Sequence, residues 1–217
     1  HLIVDVSGWF PDGTYRPLTA PQRVLDTRPG QPTADGDGAG TGLRPAMSVT
    51  SVPVAGRVGL PDDAESVVVN VTVTEPDAAG FVTVFPCGAE PPNASNVNYT
   101  PGATVPNMAV SKVGVGGAVC LYTYAAAHLI VDVSGSLPAA TFVPLATPQR
   151  LLDTRGGAVS ATVDGRFRGW GTQPWHGSLE LEVTDRGGVP AEASAVVLNV
   201  TAVAPRGAGF VTVHPRG

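Results

Sequence analysis

Residues 66–88 have the sequence SVVVNVTVTEPDAAGFVTVFPCG, and β-branched residues recur in it at every second position. This is the period of a strand with one buried face. Four valines share that face: Val67, Val69, Val71 and Val73. The turn-forming residues Glu75–Asp77 separate this strand from a second one at Phe81–Phe85. The stretch therefore predicts a β-hairpin.

Much of this stretch occurs twice in the chain. Residues 195–217 have the sequence AVVLNVTAVAPRGAGFVTVHPRG, at an offset of 129. HLIVDVSG occurs at His1–Gly8 and again, unchanged, at His128–Gly135. PLTAPQRVLDTR at Pro17–Arg28 is matched by PLATPQRLLDTR at Pro144–Arg155. A period near 127 is too long for a solenoid unit, so each repeat is the size of a domain.

The positions of these matches divide the chain into three parts. Residues 1–10 correspond to the tail strand of a preceding repeat, 11–137 form one complete repeat, and 138–217 form a second, incomplete repeat. A different division begins each domain at HLIVDVSG. In both divisions the second copy has no counterpart of Ala89–Ala127. We expect a fragment of a longer array, or a domain completed by a strand from another chain.

Composition and periodicity predict an all-β protein. Charged residues make up only 14% of the chain, Gly (27) and Pro (21) are abundant, and no helical period is present. About eight short strands per repeat predict tandem β-sandwich repeats of about 127 residues, either Ig-like or jelly-roll. Besides the two in the hairpin, the predicted strands are Arg23–Arg28, Met47–Val52, Asn93–Thr100, Met108–Val113, Ala118–Thr123 and His128–Gly135.

Charge and hydropathy exclude two classes of partner. The net charge is −5 and the basic residues are scattered, which is unsuited to nucleic acid. Apolar runs such as Ala125–Val131 are far shorter than the roughly 20 residues that span a bilayer, so we expect no membrane span.

Two cysteines, Cys87 and Cys120, fall on or beside predicted strands. We interpret them as a disulfide, with two buried free thiols as the alternative. A disulfide indicates an oxidising compartment. In the second copy Arg216 replaces the first cysteine.

The chain resembles a tandem repeat of secreted and cell-surface proteins of actinobacteria. The resemblance is carried by P-x-R-(V/L)-L-D-T-R, by V-x-N-V-T-x-x-x-P-x-x-x-G-(F/Y)-V-T-V and by HLIVDVSG, which together cover nearly the whole chain. It implies an extracellular address and an accessory role, often in tandem or beside extracellular hydrolases, but no specific ligand. A basic set of one Lys and twelve Arg is consistent with a high-GC source of this kind.

The repeated charged residues favour a structural interpretation. Asp26 and Arg28, like Asp153 and Arg155, lie two apart on a strand and share a face, so we expect internal ion pairs. We assign a structural role to Asp132 and its repeat Asp5 as well. His128 and Asp132 also suggest a hydrolase His–Asp pair with Ser134 as the nucleophile, and the pair is repeated as His1 and Asp5. Strand residues four apart lie about 13 Å from each other, which excludes a triad within this segment. A triad assembled from distant strands is the alternative, but the sequence contains no Gly-x-Ser-x-Gly or similar nucleophile motif, so we predict no enzymatic activity.

No metal or cofactor site is predicted. The four histidines, His1, His128, His176 and His214, lack zinc-like spacing. Asp35–Gly38 has the sequence DGDG, which superficially resembles a calcium loop but lacks the later carboxylates. A solvated glycine-rich turn explains it better.

The copies differ most in the loop after the second LDTR. Five residues there are candidates for ligand contact: Arg166, Arg168, Trp170, Trp175 and His176. Exposed aromatic rings flanked by Arg can stack on sugars. The alternative is that these rings cover an edge of the sandwich or pack against a neighbouring repeat.

Two functions follow as hypotheses. The first is a non-catalytic extracellular structural or adhesive repeat, acting as a stalk, surface coat or filament subunit, whose partners are neighbouring repeats or other copies of itself. The second is a module that binds cell-wall or extracellular polysaccharide for a secreted enzyme. We also predict that the strand at 1–10 can insert into another molecule's incomplete repeat and form head-to-tail polymers.

Overall fold

A computed structural model of the chain describes residue 10 and residues 13–138, 141–157, 160–174, 177–207 and 211–213. Within these residues the chain forms eight strands and one short 3-10 turn, Val115–Gly117. The strands are β1 (Arg16–Asp26), β2 (Ser48–Pro53), β3 (Ser66–Thr74), β4 (Gly80–Pro86), β5 (Val97–Tyr99), β6 (Val105–Lys112), β7 (Ala118–Thr123) and β8 (His128–Leu137).

The strands form two four-stranded antiparallel sheets, ordered β1-β8-β3-β6 and β2-β7-β4-β5. The prediction of an all-β sandwich is therefore confirmed. Between the two predicted topologies, this strand order is that of an eight-stranded jelly roll, in which the chain passes repeatedly from one sheet to the other.

The core lies between the sheets, where the alternating valines predict it. The four valines of β3 are completely buried, and so are Leu129, Val131 and Val133 of β8. Val82, Val84 and Leu121 face them from the other sheet and belong to the same apolar cluster. Burial of each such side chain contributes about 1.5–3 kcal/mol, so this layer is the main source of the fold's stability.

The predicted hairpin is wrong. Both of its strands exist, but β3 pairs with β6 and β8, whereas β4 pairs with β5 and β7 in the other sheet. Both strands have an apolar face, and placing them on opposite sheets lets the two faces cover each other. The turn after Thr74 is therefore a crossover between sheets.

The observed strand boundaries differ most from the predicted ones at β1 and β5. β1 begins at Arg16, seven residues before the predicted start, and it contains Pro17 and Pro21. These prolines are tolerated because β1 is an edge strand with irregular register against β8. β5 is only three residues long, shorter than predicted.

The described residues after Pro138 form no strand. Two isolated bridges, Asp153 with Arg168 and Arg186 with Val189, are recorded there. The residues that match β3 remain exposed, among them Val197, Val200 and Val203. The tandem arrangement of two sandwiches stays a prediction, and the predicted tail strand lies outside the described residues except for Phe10.

Candidate functional site

Asp26, the last residue of β1, lies at the centre of a polar lattice. Its side chain is completely buried. Arg28 donates from Nε to Oδ1 at 3.0 Å, from Nη2 to Oδ2 at 2.7 Å, and from its backbone N–H to Oδ1 at 3.1 Å. Arg23 adds a fourth bond from Nη1 to Oδ2 at 3.0 Å. One carboxylate thus accepts from two guanidinium groups and a backbone amide.

Burial by itself raises the pKa of Asp26, but the hydrogen bonds and charge of Arg28, with the charge of Arg23, outweigh it. The pKa of this carboxyl therefore lies below its usual value. Asp26 stays ionised at neutral pH and carries no proton that it could donate as a general acid.

The same lattice connects β1 to β8. Arg23 donates from Nε to Oδ1 of Asp132 at 2.9 Å. Thr27 donates its backbone N–H to the Leu129 carbonyl at 3.0 Å, and its hydroxyl accepts the Leu129 amide at 2.9 Å. The LDTR motif of one strand thereby holds the HLIVDVSG motif of the other, although they are about a hundred residues apart in sequence.

His128 and Asp132 make separate contacts. His128 Nδ1 lies 2.9 Å from the Thr27 hydroxyl, while Asp132 binds Arg23. Both side chains therefore join β8 to the LDTR segment. Asp5, the counterpart of Asp132, lies outside the described residues.

The second LDTR reproduces the first lattice. Arg155 binds Asp153 through the same three donors at the same distances, 3.1, 3.0 and 2.7 Å. A hydrogen bond from the side chain of Arg155 is the main reason that the pKa of Asp153 lies below its usual value. Arg150, the counterpart of Arg23, lies 3.5 Å from the Asp153 carboxylate. Asp153 is buried, and this local structure forms although the described residues around it contain no strand.

A further ion pair was not predicted, and it too occurs in both copies. Arg57 donates to both carboxylate oxygens of Asp35, at 2.7 and 2.9 Å, in the DGDG turn. Arg186 does the same to Asp164, at 2.9 and 2.6 Å. These side-chain hydrogen bonds are the main cause that lowers the pKa of each aspartate. Asp164 and Arg186 follow Asp35 and Arg57 at the offset of 129 residues that relates the two copies, so the sequence contained a signal for this ion pair.

The loop around Trp170 brings together part of the predicted ligand site. The guanidinium of Arg186 lies 4.6 Å from the Phe167 ring centre, and that of Arg166 lies 5.3 Å from it. Trp170 packs on Phe167 with ring centres 5.3 Å apart and is 54% exposed. Arg168 is exposed and forms a backbone bridge with Asp153. Trp175 and His176 lie outside the described residues.

Sequence reasoning missed a second aromatic surface, on the outer face of the β2-β7-β4-β5 sheet. Phe81 stacks on Tyr124 with ring centres 5.0 Å apart and contacts Tyr122 at 5.9 Å. Tyr124 is 48% exposed. We call Phe81, Tyr122 and Tyr124 the aromatic face. The sequence contained a signal for this surface, because Tyr122 and Tyr124 alternate with Leu121 and Thr123, which are buried.

The predicted disulfide is confirmed. Cys87 and Cys120 are bonded, and the bond packs with Phe85 and Ala118 in a small cluster separate from the main core. It links the end of β4 to its neighbour β7.

Among the described residues, no group of three or more His, Cys, Asp or Glu side chains could hold a metal ion. The only helical segment in this part of the chain is one 3-10 turn, which is too short to cross a membrane. The sequence matches no protein-family model and no curated protein.

Proposed function

We propose that this chain is a non-catalytic extracellular repeat module with a structural or adhesive role, as part of a surface coat or a filament. The observation that carries the proposal is that the repeated polar residues form hydrogen bonds with one another. In both copies the aspartate and arginines of LDTR bind one another, and in the first copy they also bind β8. Buried polar groups that satisfy one another's hydrogen-bonding capacity in this way stabilise the fold.

An extracellular address is supported by the disulfide, because such bonds persist in oxidising compartments. The resemblance to secreted actinobacterial repeats supports the same address. It also supports the tandem organisation, in which the second LDTR lattice marks the start of a second sandwich.

The positions where the chain enters and leaves the sandwich favour a coat or filament over a stalk. β1 starts at Arg16, which pairs with Ser136 near the end of β8. Paired residues of antiparallel strands lie about 4.5–5.5 Å apart. The chain thus enters and leaves at one place, so each sandwich would project sideways from the array and add little to its length.

The test is surface labelling of intact cells that produce the protein, with antibodies raised against the folded chain. We expect labelling without permeabilisation, and no thiol that reacts with an alkylating reagent until a reductant is added. Labelling that requires cell lysis, or two reactive thiols in the protein as isolated, would contradict the proposal.

A second candidate function is binding of extracellular polysaccharide. It is favoured by exposed aromatic rings at two places, Trp170 in the second copy and the aromatic face of the sandwich. Rings of this kind stack on the apolar faces of sugars. Lectin domains include jelly rolls, but a fold alone does not assign a function.

Affinity electrophoresis in gels that contain cell-wall or plant polysaccharides tests this candidate. If Trp170 is the contact, Trp170→Ala restores free mobility, whereas Trp170→Phe retains retardation and Tyr124→Ala behaves as the unmodified chain. If the aromatic face is the contact, the effects of Trp170→Ala and Tyr124→Ala are reversed. Absence of retardation in every polysaccharide would refute this candidate and leave the structural role standing.

A further inference from the structure

We infer that the side of the sandwich where β5 and β6 meet is a joint between neighbouring repeats, and that its partner is the NVT segment, residues 199–201, of the second copy. The inference deepens the structural role proposed above and rests on its claim that the chain is built of repeats. It assigns to the neighbouring repeat a defined binding surface on the sandwich.

This surface lies at the open edge of both sheets. β5 and β6 are the last strands of their sheets, and they contact each other. Edge strands present unpaired backbone groups, which proteins commonly cover. Asn98 lies in β5 and Asn107 in β6, while Asn93 and Ser95 come just before β5. We call these four residues the joint surface. It is uncharged and rich in amide groups, which both donate and accept hydrogen bonds.

The second copy binds this surface through two polar residues of the NVT segment. Asn199 Oδ1 accepts a hydrogen bond from Asn107 Nδ2 at 2.8 Å, and Asn199 Nδ2 donates to the Ser95 carbonyl. Asn98 Nδ2 donates to Thr201 Oγ1 at 3.4 Å. Asn199 thus uses an acceptor and a donor in the joint, which requires an amide because a carboxylate has no donor.

The residues that make this contact are those that a folded second copy would turn outward. Asn199 and Thr201 match Asn70 and Thr72 of β3. The latter two flank the completely buried Val71 and lie on the outer face of their sheet. Asn70 donates to Thr72 Oγ1 at 3.4 Å, and Asn199 donates to Thr201 at the same distance. The contact therefore leaves the apolar face of the NVT segment free for a core of its own.

A charged residue of the second copy adds a separate attachment. Arg150 donates from Nη1 to Asn93 Oδ1 at 2.9 Å. The Arg150 side chain is 20% exposed, whereas that of its counterpart Arg23 is 35% exposed. A hydrogen bond from a charged donor is stronger than one between neutral groups. The joint surface thus holds two parts of the second copy, one beside its LDTR motif and the other its NVT segment.

The joint is polar and does not extend the core. Within the described part of the chain, the main apolar cluster contains no residue after Val133. Two copies joined in this way keep separate cores and can unfold separately, but they do not rotate freely about their linker. A contact between two different surfaces is heterologous, and its repetition along an array gives a regular filament rather than a flexible string.

Cross-linking of paired cysteines in the full 217-residue chain tests the joint. Asn98→Cys with Thr201→Cys places two thiols across it, and Val49→Cys with Thr201→Cys is the matched control. Val49 is an exposed residue of β2, three strands from β5 in the same sheet and so about 14 Å away. A bismaleimide that spans less than this distance should link the first pair within one chain, at 22.0 kDa, and leave the control pair unlinked.

Alanine substitutions added to the first cysteine pair show whether the named hydrogen bonds hold the joint. Asn199→Ala and Asn107→Ala each remove bonds of the joint, so each should slow the cross-linking about fivefold or more. Asn199 lies outside the two sheets, so its replacement leaves the sandwich folded. Asn70→Ala removes the same amide from the other NVT segment, away from the joint, and should leave the rate unchanged.

Three results would overturn the inference. The first is a cross-linking rate for the first pair no higher than that of the control pair. The second is a product of twice 22.0 kDa from the first pair, which would place the contact between molecules. The third is an unchanged rate in both Asn199→Ala and Asn107→Ala. None of them affects surface labelling of the chain without added cysteines, so failure of the joint is distinguishable from failure of the proposed function.

Discussion

Replacing Asp26 by alanine should destabilise the sandwich by about 3 kcal/mol. The substitution removes the acceptor of four hydrogen bonds, three from Arg28 and one from Arg23. Breaking a buried ion pair by removing one partner costs about 3–5 kcal/mol. The lower end applies because the side chains of Arg28 and Arg23 are 30% and 35% exposed, so water can solvate them once the carboxylate is gone.

Urea unfolding followed by near-ultraviolet circular dichroism measures this cost, and thermal unfolding should show a melting temperature lower by about 10 °C. Asp153→Ala is the matched control. It removes an acceptor with the same three bonds to Arg155, but it lies after β8 and outside the sheets. We expect it to change the unfolding free energy of the sandwich by less than about 0.5 kcal/mol.

Two results would refute this reasoning. A cost below about 1 kcal/mol for Asp26→Ala would mean that the lattice contributes no more than a surface ion pair does. An equal cost for Asp153→Ala would mean that the sandwich and the second copy unfold as one unit. Either result would remove the support that the LDTR motif gives to the structural role.

Three further perturbations follow from the same structure. Replacing Cys87 and Cys120 by alanine removes a cross-link between residues 33 positions apart, and this should lower the unfolding free energy by about 4 kcal/mol; an unchanged urea midpoint would contradict it. Gly135→Ala puts a methyl group against the Arg16 carbonyl and the Tyr15 side chain and should cost about 2 kcal/mol in the same assay, whereas Gly156→Ala, whose added methyl group meets nothing within 4 Å, should cost the sandwich nothing. Because the pKa values of Asp26 and Asp35 are lowered in the folded state, these groups stabilise the sandwich fully above about pH 4, the pKa range of the unfolded chain, and lose this effect as the pH falls further. Acid titration of the urea midpoint should show a decline that is smaller in Asp26→Ala, and equal declines would argue against it.

The strands and their buried faces could be predicted from the sequence because they depend on local alternation. Val67 to Val73 in β3 and Leu129 to Val133 in β8 repeat at period two, and this period fixes which side chains face the core. The ion pair of Asp26 with Arg28 was accessible for the same reason, since both residues lie on one short segment.

Strand partners could not be predicted in this way. Alternation says which face of β3 is buried but not which strand lies beside it, so proximity in sequence wrongly suggested β4. The true neighbours β6 and β8 come later in the chain, and β8 pairs with β3 from Ser66 with Leu137 to Thr74 with His128. The aromatic face was missed for a related reason, because Phe81 meets Tyr122 and Tyr124 only when β4 and β7 pair.

The central claim is that HLIVDVSG is the closing strand of the repeat, held by LDTR. Hydrogen exchange of the peptide that covers His128–Leu137 tests it most directly, with a synthetic peptide of the same sequence as the reference for unprotected rates. β8 is paired on both sides and its core-facing side chains are buried, so its amides should exchange only when the whole sandwich unfolds. Asp26→Ala should speed this exchange by about two orders of magnitude, the factor that corresponds to about 3 kcal/mol. Exchange of β8 at the rates of the free peptide, or protection unaffected by Asp26→Ala, would contradict the account.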